Sequence, residues 1–206
     1  MPQPAEPLDD IRVVDLSRLL PGPMCSWYLR GLGAEVIKVE DPLRGDYLRM
    51  IPPLGGDDMG VWFSAINAGC RSIALDLKSD AGREALLALL ETADVLLEGF
   101  RPGVLARLGL DPVALQARFP RLVIASIPGF GHTGPPRTPP RPDLRYDGLT
   151  GGLSPGARPD GAPDVPGRPL AAMAARSPPA GPPSSGAPPL RARPSVRTSS
   201  RLHNAP

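Results

Sequence analysis

Residues 71–98 read Arg-Ser-Ile-Ala-Leu-Asp-Leu-Lys-Ser-Asp-Ala-Gly-Arg-Glu-Ala-Leu-Leu-Ala-Leu-Leu-Glu-Thr-Ala-Asp-Val-Leu-Leu-Glu. Ser72 to Lys78 alternates apolar and polar side chains, the period-2 pattern of a strand. Ser79 or Asp80 is a helix N-cap residue. The helix it opens, about 80–92, places Leu86, Leu87, Leu89 and Leu90 on one face. Asp94 to Glu98 is a second apolar run bounded by acids. Strand, helix and strand follow one another within 28 residues. That spacing suits a crossover between parallel strands and leaves no room for a separate helical bundle.

The same alternation extends in both directions. Upstream, 11–16 (Ile-Arg-Val-Val-Asp-Leu) reads as a strand, and Pro23 fits the first turn of a helix at 24–32 that Gly31 or Gly33 ends. Residues 36–40 form the next strand. A Gly/Pro/Asp-rich loop covers 42–60, and 61–67 is a short helix. Downstream, Pro102 starts a short helix to about Leu108. Asp111-Pro112 starts another to about Phe119, and 122–127 is a fifth strand. Five strands alternating with helices predict an α/β fold, an open, mostly parallel, Rossmann-like sheet with helices on both faces. Ligands of such sheets sit at the carboxyl ends of the strands. Attention therefore falls on Leu16–Pro23, Glu40–Asp46, Lys78–Ser79, Glu98–Gly103 and Pro128–Pro135.

Composition divides the chain. Of its 30 prolines, 12 lie in residues 1–133 and 18 in 134–206. A further helix is predicted at 143–153 and a loop at 155–169. Residues 171–206 hold eight prolines and four large apolar side chains, too little to offset chain entropy, and are expected to be disordered. Their five arginines meet no acid and exceed the net charge of +2 of the whole chain, so the rest is slightly acidic. A specific nucleic-acid binder is not expected, although the basic tail could touch anions nonspecifically. No apolar run approaches the ~20 residues of a membrane span, and the acidic, proline-bearing start is unlike a signal peptide. Cys25 and Cys70 are too few for a disulfide framework or a zinc site, and reduced thiols imply the cytoplasm.

Motifs for common chemistries are missing. No G-x-G-x-x-G follows the first strand and no phosphate-binding G-x-x-x-x-G-K-[ST] occurs. His132 lies in a Gly-rich loop after the fifth strand and His203 in the tail; a solvated loop histidine is the simpler reading of the first. Cys25 reads as core. Cys70 precedes Arg71, a cation able to lower a thiol pKa, but a structural role is the simpler reading.

Five segments in order carry a family resemblance: Leu8–Leu16 with Pro21-Gly22-Pro23, Leu32–Glu40, Asn67 with Arg71–Lys78, Asp94–Gly103 and Ser126–Gly131. Together they resemble the class III CoA transferases and α-methylacyl-CoA racemases, densely over 8–133 and patchily to about 173. The resemblance implies an acyl-CoA thioester enzyme. Coenzyme A would be bound as a substrate moiety, with no permanently bound cofactor and no metal. Partners would be acyl-CoA and carboxylic acids, in a homodimeric family. It further implies that Leu75 to Lys78 and Gly99-Phe100 line the nucleotide and that Arg107 meets a phosphate, with Arg71 and Arg101 as secondary cations. Phosphates of this kind favour arginine, lysine and helix N-termini. Gly99 stands where some transferases carry asparagine, which would remove one side-chain contact.

The catalytic positions depart from the family. The transferases resembled here use an aspartate as a covalent nucleophile on the thioester. The racemases pair it with a histidine to exchange the α-proton. The aspartate belongs to a Leu-Ala-Asp-x-Ala-Gly-Gly stretch; here the run is Leu170-Ala171-Ala172-Met173-Ala174-Ala175-Arg176, and Ala172 fills its place. Where racemases have Gly-His-Asp-x-x-Tyr, this chain has Arg141-Pro142-Asp143-Leu144-Arg145-Tyr146. Asp143 is thus the acidic catalytic candidate, with a helix N-cap as its plainer role. The expected organisation is an incomplete CoA-binding domain at 8–170 and a Pro/Arg/Ser-rich tail at 171–206. The abrupt loss of acids there is what a reading-frame change near codons 172–176 would produce; a genuine Pro-rich extension is the rival. Three functions stay open: CoA transfer between acids, 2-methylacyl-CoA racemisation, and a non-catalytic truncated CoA-binding fragment.

Overall fold

The computed structural model describes residues 6–129. The predicted helix at 143–153, the loop at 155–169 and the tail at 171–206 lie outside the described residues, as do Asp143, His132 and Ala172.

Five strands, β1 (Arg12–Asp15), β2 (Glu35–Glu40), β3 (Arg71–Ala74), β4 (Val95–Glu98) and β5 (Val123–Ser126), form one all-parallel sheet in the order β3-β2-β1-β4-β5. The α-helices are α1 (Pro21–Gly31), α2 (Val61–Asn67), α3 (Asp80–Leu90), α4 (Val104–Arg107) and α5 (Pro112–Arg118). This is the predicted open α/β architecture.

Alternation along each strand divides the core between two faces. Val13, Val36, Val95 and Leu97 point to one side, where Cys25 and Leu29 of α1 cover them. Val14, Val39 and Leu96 point to the other, against Leu86 and Leu90 of α3, Leu105 of α4 and Leu115 of α5. Leu87 and Leu89 flank that second cluster, half-buried. A third, smaller cluster joins Met24, Leu48, Phe63 and Ile66 beneath α2.

Three local expectations change. α1 begins at Pro21, ahead of the predicted start at 24, because both Pro21 and Pro23 fit the first turn, where a missing N–H costs no bond. It ends as Gly33 turns left-handed at φ 103° and donates its N–H to Arg30 O. β3 stops at Ala74 instead of reaching 78. Leu75 N still donates to Glu40 O, but the Asp76 carboxylate then accepts from Lys78 N and bends the chain off the sheet edge. The loop at 42–60 contains a 3-10 turn, Tyr47–Met50, capped by the Asp46 carboxylate on Leu48 N.

Candidate functional site

The order of the sheet reverses between β1 and β4. From β1 the chain winds outward through β2 to β3, then returns to the far side of β1 for β4 and β5. Such a switch point opens a crevice above the carboxyl ends of the central strands, since the connections diverge there. A cavity of about 640 Å³ occupies that place. Its wall comes from the segments that follow four strands: Leu16–Leu19 after β1, Glu40-Asp41 after β2, Leu75–Lys78 after β3 and Gly99–Arg101 after β4. The first turns of α4 and Arg107 at its end complete it.

Leu75, Lys78, Gly99, Phe100, Arg101 and Arg107 all line this one cavity. Each owes its place to local structure. The Asp76 turn presents Lys78, and the cap of Ser79 on Gly82 N fixes the start of α3 behind it. Leu75 and Phe100 are half-buried on the α3 side of the core and give the cavity an apolar floor. Glu98, 3% exposed, accepts from Phe100 N at 2.6 Å and from the Ser126 hydroxyl, which holds the turn after β4. Gly103, left-handed at φ 78°, lets that turn enter α4 at Val104, two residues beyond the predicted start at Pro102. Gly99 has room: a Cβ there would meet Ser17 Cβ at 3.7 Å and Ile127 O at 3.8 Å, ordinary contact.

Arg71 is elsewhere. It lies at the amino end of β3, away from the cavity, and pairs with Glu35 at 2.8 Å. Burial pushes the Cys70 thiol up, outweighing the cation beside it, Arg30. Burial also raises the Cys25 thiol, with Asp15 adding to it. Neither sulfur has the thiolate character that Cys70 beside Arg71 suggested.

The cavity gathers four cations, Arg18, Lys78, Arg101 and Arg107, and three acids, Glu40, Asp41 and Asp76. All three acids accept hydrogen bonds, Asp76 from Lys78 N. Glu40 receives two bonds from Arg49 at 2.7 and 2.8 Å, one from Ser72 and one from Asp46 N. Burial alone would raise its pKa; these bonds outweigh it and hold the carboxyl at about 2. Asp41 accepts from Leu43 N and Arg44 N, which lowers its pKa, helped by the charges of Arg18 and Lys78. The site is therefore a half-apolar crevice whose four cations make no ion pair among the described residues, suited to a ligand bearing phosphates on an apolar body.

Sequence reasoning marked the segment Leu16–Pro23 without singling out Arg18, and it missed the buried polar network beneath it. Lys38 and Asp46 are 1% and 0% exposed and pair at 2.9 Å. Asp15, 1% exposed, accepts from Ser17 N, Ser17 Oγ and Ser26 Oγ, and burial raises its pKa against the pull of Lys38. The signal was a lysine at an inward position of an otherwise apolar strand, Val36-Ile37-Lys38-Val39. A charge there needs a buried partner.

Known proteins are similar to this chain in sequence and fold. The chain is 44% identical over 133 residues to an acetyl-CoA:oxalate CoA-transferase of Acetobacter aceti, covering 65% of this chain and 34% of that protein. It is 42% identical over 141 residues to a succinate–glutarate CoA-transferase of Agrobacterium fabrum, covering 66% and 35% respectively. The chain thus spans about a third of the length of the curated relatives it matches. Among solved structures, Rv3272 of Mycobacterium tuberculosis superposes with a TM-score of 0.76 at 37% identity, over 84% of this chain and 48% of that one. A CAIB/BAIF family protein from Brucella suis gives 0.75 at 38% identity, over 82% and 46%. The family model for CoA-transferase family III matches residues 8–175. On that match, across most of its length, the chain belongs to CoA-transferase family III.

Proposed function

We propose that the cavity binds the nucleotide half of coenzyme A or an acyl-CoA, and that the reaction this fold serves is CoA transfer between carboxylic acids. The observation that carries the reading is the convergence of Leu75, Lys78, Gly99, Phe100, Arg101 and Arg107 on one crevice at the switch point. Lys78 and Arg107 take phosphate oxygens, and Leu75 and Phe100 offer apolar surface to the base. Coenzyme A enters as part of the substrate and leaves with the product. Two relatives carry names for transfer between acids, on oxalate and on succinate and glutarate, which favours transfer over racemisation. The cytosol is the setting proposed, since both cysteines are free thiols.

Binding and turnover separate in this chain. Ala172 has no titratable group where the family motif places its aspartate. Asp143 is the acid left at a motif position and is proposed as the catalytic candidate. We expect the 206-residue chain to bind coenzyme A and to exchange no labelled CoA between acids. Calorimetric titration with coenzyme A tests the first half. Lys78→Gln and Arg107→Gln should each weaken binding about tenfold or more, the worth of one charged hydrogen bond. An unbound wild-type chain would refute the site. Exchange that disappears in Asp143→Asn would refute the loss of turnover and assign the chemistry to Asp143. Deuterium washed into the α position of a 2-methylacyl-CoA would favour racemisation instead.

A further inference from the structure

The buried charges beneath the cavity are costly. An ion pair removed from water seldom gains in attraction what it loses in hydration, so the Lys38–Asp46 pair is poorly explained as a stabiliser. What it holds is specific. Lys38 Nζ donates to Ser17 O at 3.1 Å, and Leu19 N donates to Asp46 Oδ1 at 3.0 Å. Asp15 secures Ser17 from the other side through its N–H at 2.7 Å and its hydroxyl. Leu19 is left-handed at φ 63°, a conformation a leucine adopts only when its surroundings impose it. The first two contacts fix the peptides on either side of Arg18, and Asp15 fixes the residue before it.

Asp46 does a second thing. Its Oδ1 caps Leu48 N and so starts the 3-10 turn that presents Tyr47. The Arg18 guanidinium lies over the Tyr47 ring at 5.6 Å and beside the Phe100 ring at 6.0 Å from their centroids. One buried carboxylate thus sets both the backbone of Arg18 and one of the rings it lies against. The guanidinium donates to no protein acceptor among the described residues. Arg18 lines the cavity.

We propose that Arg18 is a further ligand-binding residue, which takes a phosphate group of coenzyme A, and that the buried Lys38–Asp46 pair is the positioning device that aims it. The proposal rests on the reading of the cavity as a coenzyme A site. A planar, fork-shaped donor that already lies near two rings loses little freedom on gripping a phosphate.

Calorimetric titration of the full chain with coenzyme A tests it. Arg18 is exposed, so Arg18→Gln leaves the fold intact and should weaken binding about tenfold. The apolar replacement Lys38→Met/Asp46→Leu should weaken binding by a similar factor. In the Arg18→Gln background it should cost nothing further, because a device that works through Arg18 has nothing left to aim. A merely structural pair would add its full effect in both backgrounds, and that result would overturn the positioning role. Arg18→Gln with wild-type affinity, alongside weakened Lys78→Gln, would overturn the Arg18 contact while leaving the coenzyme A site standing. A wild-type chain without affinity would overturn both. Repetition with 3′-dephospho-coenzyme A assigns the group. A tenfold loss that persists supports a diphosphate contact, and one that vanishes supports a 3′-phosphate contact. If the double variant fails to fold, Arg18→Gln still decides the contact, and Asp46→Asn decides the positioning: affinity lost in the wild-type background but not in the Arg18→Gln background supports it, and equal loss in both overturns it.

Discussion

Glu40 stays ionised although it is 7% exposed, because Arg49, Ser72 and the backbone of Asp46 all donate to it. Its folded pKa, about 2, lies below the ordinary glutamate value of 4.5. The unfolded chain therefore takes up a proton first as acid is added. The stabilisation is fully present above pH 4.5 and is lost as pH falls through about 2. Glu40→Gln should cost on the order of 2 kcal/mol at neutral pH. Thermal melts of the two proteins should converge as pH falls across that interval. A gap independent of pH would mean that the carboxylate charge is irrelevant. Comparing the pair isolates Glu40 from Asp15, whose raised pKa acts with the opposite sign.

Helix by helix, two glycines of similar appearance should respond in opposite directions. Gly82 lies in the first turn of α3, where a Cβ would collide with the backbone carbonyl of Asp76, the residue whose turn presents Lys78. Gly31 closes α1 with nothing within 4 Å of its Cβ position. Gly82→Ala is expected to destabilise by about 1–3 kcal/mol, and Gly31→Ala to stabilise by roughly 0.5–1 kcal/mol. Urea unfolding midpoints decide both; a stabilised Gly82→Ala would show that the turn yields freely. The elements themselves were legible because each signal was local: Asp111-Pro112 opens α5, Ser79 caps α3, and the five apolar runs are the five strands. The early end of β3 was hidden because Asp76 continues the alternation while its side chain bends the backbone. Lys78 and Arg101 lay in segments that the strand-end rule marked, while Arg107 and the binding roles came from family resemblance, since an exposed cation has no local signature. Arg18 escaped because its place depends on Lys38 and Asp46, 20 and more residues away, and no pattern of spacing encodes such a contact.

At the scale of the whole molecule, β1 is the hinge of the architecture. Val13 aligns with Val36 on one side and with Val95 on the other. The first partner is near in sequence; the second arrives only after the whole β2–α3 excursion. The cavity straddles this division, with β1, β2 and β3 supplying one wall and β4 the other. Directly below it, Leu16 N donates to Leu97 O at 2.8 Å, the last rung joining the two parts. Anything bound above that rung contacts both walls, and separating them would first require its release. The Leu16 amide can therefore serve as an in-built reporter of occupancy by hydrogen–deuterium exchange. With coenzyme A at about 100 times its dissociation constant, exchange at Leu16 should slow by up to about 100-fold. The amide of Phe119, at the end of α5 and remote from the cavity wall, should slow less. Equal slowing at both would mean that the domain opens as a single piece; unequal slowing would mark the β1–β4 junction as the place where this protein comes apart.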